Sequence, residues 1–190
     1  MAKLNLNDYQ GKRIHFVGIG GSSMHGLADM LRQQGFVITG SDIKEAVFTP
    51  YLRSVGIPFT VGHSEENVAG ADLVVYTAAV KPDNVELHYA KVHGIPTIER
   101  SELLGEMLKN YDTVIAIAGC HGKTTISSMV GLILMRAYLD PTIHIGGSLN
   151  YLEHGGTHLG KGNTFVLEAC EYLDSFLHFL SQYRLNQQYR

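Results

Sequence analysis

The run Ala116-Ile-Ala-Gly-Cys-His-Gly-Lys-Thr-Thr125 gathers the residue types that grip phosphate. Gly119, Cys120, His121 and Gly122 form a short turn, and Lys123, Thr124 and Thr125 open the segment after it. In such a turn, backbone N–H groups and the positive end of the following helix surround a nucleotide triphosphate. Lys123 neutralises the phosphates, and the Thr124 hydroxyl reaches a magnesium ion. The full eight-residue phosphate loop needs glycine at 117, where Ile117 stands, so the pattern is the shorter Gly-x-x-Gly-Lys-Thr. A second glycine run, Gly18-Ile-Gly-Gly-Ser-Ser-Met-His-Gly26, carries Gly18 and Gly20 in dinucleotide-fingerprint order, with Ser23 at the third glycine position. Asp42 lies about twenty residues further on, where an acid hydrogen-bonds a ribose hydroxyl. That turn serves a nicotinamide cofactor or any diphosphate lying on a helix N-terminus. A redox enzyme has no use for a triphosphate loop in the next domain. Two nucleotide grips in series point instead to a kinase-like or ligase-like enzyme whose first site holds a nucleotide-linked substrate.

The elements that must position these residues alternate along the chain. Strands are expected at Arg13–Gly21, Gly35–Asp42, Pro58–Val61, Asp72–Ala79 and Ile95–Glu99. Helices are expected at Ser23–Gln34, Phe48–Val55, Val85–His93 and Ser101–Lys109. Met24, Leu27, Met30 and Leu31 have the spacing of one helix face. A second unit begins near Tyr111, with strands at Thr113–Ala118, Pro141–Ile145 and Asn163–Glu168, a helix at Ile126–Arg136, and a glycine-rich loop from Gly146 to Gly162. Alternating short strands and helices argue for an α/β protein with parallel sheets covered on both faces. The expected organisation is a Rossmann-like domain over residues 1–109, followed over 110–190 by the first part of a phosphate-loop ATPase domain.

Composition excludes several classes. A net charge of -3 leaves no electrostatic footprint for DNA or RNA, and the ten histidines are scattered along the sequence. With 45% hydrophobic and 17% charged residues, the chain reads as a soluble globular protein. No apolar run is long enough to span a bilayer, and the first residues lack the apolar core of a signal peptide. Cys120 and Cys170 are too few for a disulfide framework, so a reducing cytoplasm is the expected setting. Cys120 reads either as a small residue filling a tight loop or as a thiol activated by a helix N-terminus.

Taken together, His15-Phe-Val-Gly-Ile-Gly-Gly21, Gly26-Leu-Ala28, Gly40-Ser-Asp42, Gly62-His63, Thr77-Ala-Ala-Val80, Asp83-Asn84, Gly94-Ile-Pro96 and Gly119-x-His-Gly-Lys-Thr-Thr125 resemble the Mur ligases. Glu168-Ala-Cys-Glu171 resembles the family's Glu-Ala-Asp-Glu segment, with Cys170 in place of aspartate. The likeness runs from about Arg13 to Phe179 and is nearest to the branch that builds the start of the peptidoglycan stem peptide. It implies an ATP-dependent carboxylate–amine ligase that joins L-alanine to UDP-N-acetylmuramate through an acyl phosphate. A branch that ligates a recycled peptide to the same UDP-sugar, and a non-catalytic nucleotide-sugar-binding fragment, stay open beside it.

The resemblance implies roles for particular residues. Gly20, Gly21, Ser22 and Ser23 would lie under the sugar diphosphate. Asp42 would face the uridine, with His63, Thr77 and Ala78 nearby. His25 stands where the family carries serine. Gly119, Cys120, His121, Gly122, Lys123, Thr124 and Thr125 would hold ATP, with Lys123 on the β- and γ-phosphates. Thr124 and Glu168 would bind Mg2+, since a hard cation takes oxygen ligands, and Glu171 is a second carboxylate candidate. Family members continue well past the Glu-Ala-x-Glu segment, completing the ATPase domain and adding a C-terminal domain. The chain is therefore expected to be a fragment with uncovered sheet edges and apolar faces. Its last ten residues, Ser181–Arg190, are expected to form a polar helix.

Overall fold

In the computed structural model, residues 4–147, 149, 151–152 and 155–168 are described in full, and 183–187 as backbone. The chain divides into two compact units, Met1–Leu103 and Leu104–Arg190.

The first unit opens with a 3-10 turn, Leu6–Tyr9, then alternates strand and helix: β1 Arg13–Val17, α1 Met24–Gln33, β2 Val37–Asp42, α2 Thr49–Ser54, β3 Phe59–Val61, α3 Glu65–Val68, β4 Leu73–Tyr76, α4 Val85–Val92 and β5 Thr97–Glu99; the boundary falls within the next helix, α5 Arg100–Leu108. Its five strands are all parallel and lie in the order β3-β2-β1-β4-β5. This is the doubly wound arrangement, and its direction of winding reverses between β1 and β4. Ligands of such sheets sit in the crevice beyond the strand carboxyl ends at that reversal. β1 and β4 are buried on both faces, which explains the unbroken apolar runs Phe16-Val17 and Leu73-Val74-Val75, all at 0% exposure. Burying one such side chain contributes about 1.5–3 kcal/mol, so these runs hold the middle of the sheet and leave the strand ends to chemistry.

The second unit contains β6 Thr113–Gly119, α6 Lys123–Arg136, β7 Thr142–His144, β8 Thr157–His158, β9 Thr164–Glu168 and β10 Tyr183–Gln187. The sheet order is β10-β6-β9-β7-β8, parallel except for the β7–β8 pair. Helix α6 packs Ile126, Val130 and Leu134 against Ile117, Ile143 and Val166, while Met129 and Ile133 on its other face stand 57% and 61% exposed.

The expected strands and long helices are present, shifted at their ends by one to a few residues. Three differences are informative. The first strand stops at Val17, because Gly18 and Ile19 turn to donate their N–H groups to Ser41 O. The fourth ends at Tyr76, because Thr77–Val80 closes a turn through Val80 N to Thr77 O. The polar helix expected over Ser181–Arg190 is a correction: Tyr183–Gln187 forms a strand parallel to β6, from Tyr183 opposite Ile115 to Gln187 opposite Gly119. The open hydrogen-bonding edge of β6 supplies a partner that a weakly helical polar segment cannot supply for itself, and tertiary pairing overrides local propensity. Among the described residues no helix is long and apolar enough to cross a membrane.

Candidate functional site

The loop with the Gly-x-x-Gly-Lys-Thr pattern is built by β6 running into α6. Gly122 caps the helix at φ +73°, a left-handed conformation that glycine adopts without strain, and this swings Lys123 and Thr124 into the first helical turn. Their N–H groups lie at the positive end of a fourteen-residue helix, the arrangement that favours an anion. Cys120, His121, Gly122 and Thr125 are exposed, whereas Gly119, Lys123 and Thr124 are half-buried. Lys123 Nζ donates to Gly119 O at 2.6 Å, folding the lysine over its own loop.

Glu168 arrives from the neighbouring strand, with Ile117 and Glu168 in register. Thr124 Oγ1 donates to Glu168 Oε1 at 2.9 Å, and Gly146 N donates to Glu168 Oε2 at 3.0 Å. The structure thus joins the two residues expected to bind magnesium. It also adds a segment the sequence did not single out as functional, Gly146-Gly147. A Cβ on Gly147 would lie 2.8 Å from Thr124 Cγ2, so a larger residue here would push the Thr124 side chain aside. Cys170 and Glu171 lie outside the described residues. Among the described residues no three His, Cys, Asp or Glu side chains converge to enclose a metal. One hydroxyl and one carboxylate form the sparse oxygen set that magnesium takes when phosphates and waters complete its octahedron.

In the first unit, the glycine turn sits at the reversal between β1 and β4. Gly18 adopts φ +83°, and a Cβ there would lie 2.8 Å from Thr77 Cγ2, so Thr77 closes over the turn. Ala78 beside it is exposed. Gly20, Gly21, Ser22 and Ser23 lead into α1, with Ser23 at its N-cap. Asp42 is engaged by backbone: Oδ2 accepts from Gly20 N at 2.9 Å and Oδ1 from Ile43 N at 2.8 Å. It therefore clamps the glycine turn to the end of β2, and its remaining lone pairs are what a ribose hydroxyl could reach. Arg100 Nη1 donates to Ser23 Oγ at 3.3 Å, bringing a cation to the start of α1 that sequence spacing did not reveal.

His25, in the position expected to be serine, is buried; its ring stacks on Phe48 at 3.7 Å and 8°, and Nδ1 pairs with Gly21 O at 2.9 Å. Burial lowers its pKa, although the Gly21 hydrogen bond and Asp29 oppose this, so the ring acts as a neutral wall of the turn.

His63 does not stand alone. Its Nδ1 lies 2.9 Å from Glu86 Oε2 and 3.2 Å from Ser41 Oγ. Ser41 Oγ donates to the same carboxylate oxygen at 2.6 Å, and Asn67 Nδ2 donates to Glu86 Oε1 at 2.7 Å. His15 Nε2 is 3.8 Å from Glu86 Oε1, within ion-pair distance but beyond a hydrogen bond. Two histidines far apart in sequence thus meet at one carboxylate. Glu86 is buried, which alone would raise its pKa, yet the groups at His15, Ser41 and Asn67 outweigh burial and hold it at about 2. Glu86 belongs to no motif in the sequence. The signal available was Asn84, whose side chain caps α4 by accepting from Glu86 N and Leu87 N and so places Glu86 in the first helical turn.

Comparison with known proteins gives a consistent result. Residues 13–112 match the model of the Mur ligase family, catalytic domain. The chain is 55% identical over 174 residues to the UDP-N-acetylmuramate--L-alanine ligase of Acetivibrio thermocellus, covering 92% of the chain and 37% of that protein. It is 52% identical over 168 residues to the ligase of the same name from Caldanaerobacter subterraneus, covering 88% and 36%. The solved UDP-N-acetylmuramate-alanine ligase of Thermotoga maritima superposes with TM-score 0.86 at 37% identity, covering 92% of this chain and 41% of that one. The UDP-N-acetylmuramate:L-alanyl-gamma-D-glutamyl-meso-diaminopimelate ligase of Neisseria meningitides superposes with TM-score 0.83 at 27% identity, covering 94% and 61%. The chain therefore spans little more than a third of the length of the curated relatives it matches.

Proposed function

Because the chain belongs to the Mur ligase family, we propose that it is the nucleotide-holding part of a cytoplasmic, ATP-dependent ligase joining L-alanine to UDP-N-acetylmuramate through an acyl phosphate. The observation that carries this reading is the pair of strand–turn–helix anion cradles in one chain, the second with Thr124 and Glu168 already joined at 2.9 Å. Identity favours L-alanine as the added group: the L-alanine ligases reach 55%, against 27% for the peptide-adding ligase from Neisseria meningitides.

In this reading Gly20, Gly21, Ser22 and Ser23 present backbone N–H groups and a helix N-terminus to the sugar diphosphate, with Arg100 adding positive charge. Asp42 holds that turn in shape, and Thr77 and Ala78 border it. In the second cradle, Gly119, Cys120, His121, Gly122 and Thr125 wrap the triphosphate. Lys123 exchanges Gly119 O for phosphate oxygens, and Thr124 and Glu168 are the residues that would hold magnesium, which when bound would supply charge neutralisation at the phosphoryl group in a reaction where positioning and electrostatics supply most of the rate. The domains of this reading are residues 1–109 for the UDP-sugar and 110–190 for the start of the ATP-binding domain, a boundary a few residues beyond the one between the compact units at Leu103 and Leu104.

Calorimetric titration of the chain with UDP-N-acetylmuramate and with magnesium-ATP tests the reading. Each ligand should saturate one site, with the second ligand binding undiminished when the first is present. Competition between them for a single site, or failure of both to bind, contradicts it.

A further inference from the structure

Glu86 is the most heavily engaged ionisable side chain of the first unit, and the roles assigned above do not use it. Its side chain has 0% exposure, yet it gathers groups from the end of β2 (Ser41), the turn after β3 (His63), α3 (Asn67) and β1 (His15). An isolated buried carboxylate costs several kcal/mol, and such a cost persists only where hydrogen bonds offset it.

The donors define a direction. An ionised carboxylate only accepts, and Ser41 already gives its proton to Oε2. His63 Nδ1, 2.9 Å from the same oxygen, must therefore carry a proton. In the neutral ring this leaves Nε2 as a bare electron pair. Among the described residues Nε2 has no hydrogen-bond partner, and the His63 side chain keeps 19% exposure. His63 follows Gly62, whose N–H donates to Asp42 O, so the imidazole is anchored next to the acid that clamps the glycine turn.

We propose that Glu86 is a positioning residue for the nucleoside end of the first site: its buried carboxylate takes the Nδ1 proton of His63 and so presents Nε2 as an acceptor to an N–H or O–H of a bound nucleoside diphosphate. This rests on the reading of the first cradle as a sugar-nucleotide site. Glu86 touches no ligand itself and acts through the imidazole. Ser41 and Asn67 each occupy a further lone pair, one on each carboxylate oxygen, and so fix its plane. A carboxylate that selects a histidine tautomer is familiar from metal and catalytic sites, and here it would serve recognition of a base or ribose.

The test uses the 190-residue chain. Nitrogen-15 NMR of the histidine rings should show His63 protonated at Nδ1 and bare at Nε2 in the wild type, with the Nδ1–H share falling in Glu86→Gln. Calorimetry with UDP should find affinity weakened about 3- to 10-fold by Glu86→Gln and by His63→Ala, the loss of one hydrogen bond. The double variant should bind UDP no more weakly than His63→Ala, because Glu86 acts through that ring. ATP affinity should be unchanged in all three variants. A wild-type ring protonated at Nε2, or additive losses in the double variant, overturns the proposal while leaving the UDP site standing. Absence of UDP binding to the wild type overturns the sugar-nucleotide reading and this inference with it. The wild-type NMR measurement decides the matter even if Glu86→Gln fails to fold.

Discussion

Lys123 holds its own loop in a closed form, with Nζ on Gly119 O at 2.6 Å. A carbonyl is a weaker partner for an ammonium than phosphate oxygens, so a triphosphate can displace it. Lys123→Ala should weaken magnesium-ATP binding about 10- to 100-fold, the loss of a charge-assisted bond, and leave UDP-N-acetylmuramate binding within about twofold. Parallel calorimetric titrations check this, and an equal loss of both ligands by a folded protein contradicts it. Glu86 makes a prediction about pH. Its folded pKa of about 2 lies below the ordinary value of 4.5, so its stabilisation is complete above pH 4.5 and is lost as pH falls toward 2. The amount at stake is about 3 kcal/mol. Urea midpoints measured from about pH 6 down to about pH 2.5 should fall for the wild type more steeply than for Glu86→Gln, and parallel curves would refute the assignment.

Among the elements, the segment between β7 and β9, which includes the short strand β8, is what the sequence least disclosed. Gly146 to Gly162 reads as a glycine-rich loop, yet Gly146 N bonds Glu168 and Gly147 lies against Thr124. A Cβ on Gly156 would lie 2.1 Å from Ile145 O and 2.2 Å from Gly147 O, both backbone atoms. Gly156→Ala should therefore force this segment away from Glu168, costing about 1–3 kcal/mol or more by overpacking and weakening ATP binding. Thermal unfolding with a parallel ATP titration checks it, and an unchanged melting point with full ATP affinity argues against the contact. The two strand–turn–helix units were legible because glycine position and apolar runs are local signals. The Glu86 cluster was not, because His15, Ser41, His63 and Asn67 come together only once β1, β2 and the turn after β3 are assembled. The strand at Tyr183–Gln187 was misread for the same reason, since the edge of β6 that pairs with it is no property of the segment itself.

Across the whole molecule, each unit places a glycine turn and a helix N-terminus at the carboxyl end of a parallel strand, β1 before α1 and β6 before α6. Curated relatives of this chain are more than twice the length of the matched part. The most direct measurement is a crystal structure of the chain with UDP-N-acetylmuramate, a non-hydrolysable ATP analogue and magnesium. The diphosphate should lie on the N–H groups of Gly20 to Ser23, and the triphosphate in the Gly119–Thr124 turn, with Lys123 moved off Gly119 O and the metal on Thr124 and Glu168. Ligands seated elsewhere, or a lysine still bonded to Gly119 with the triphosphate present, would contradict the account.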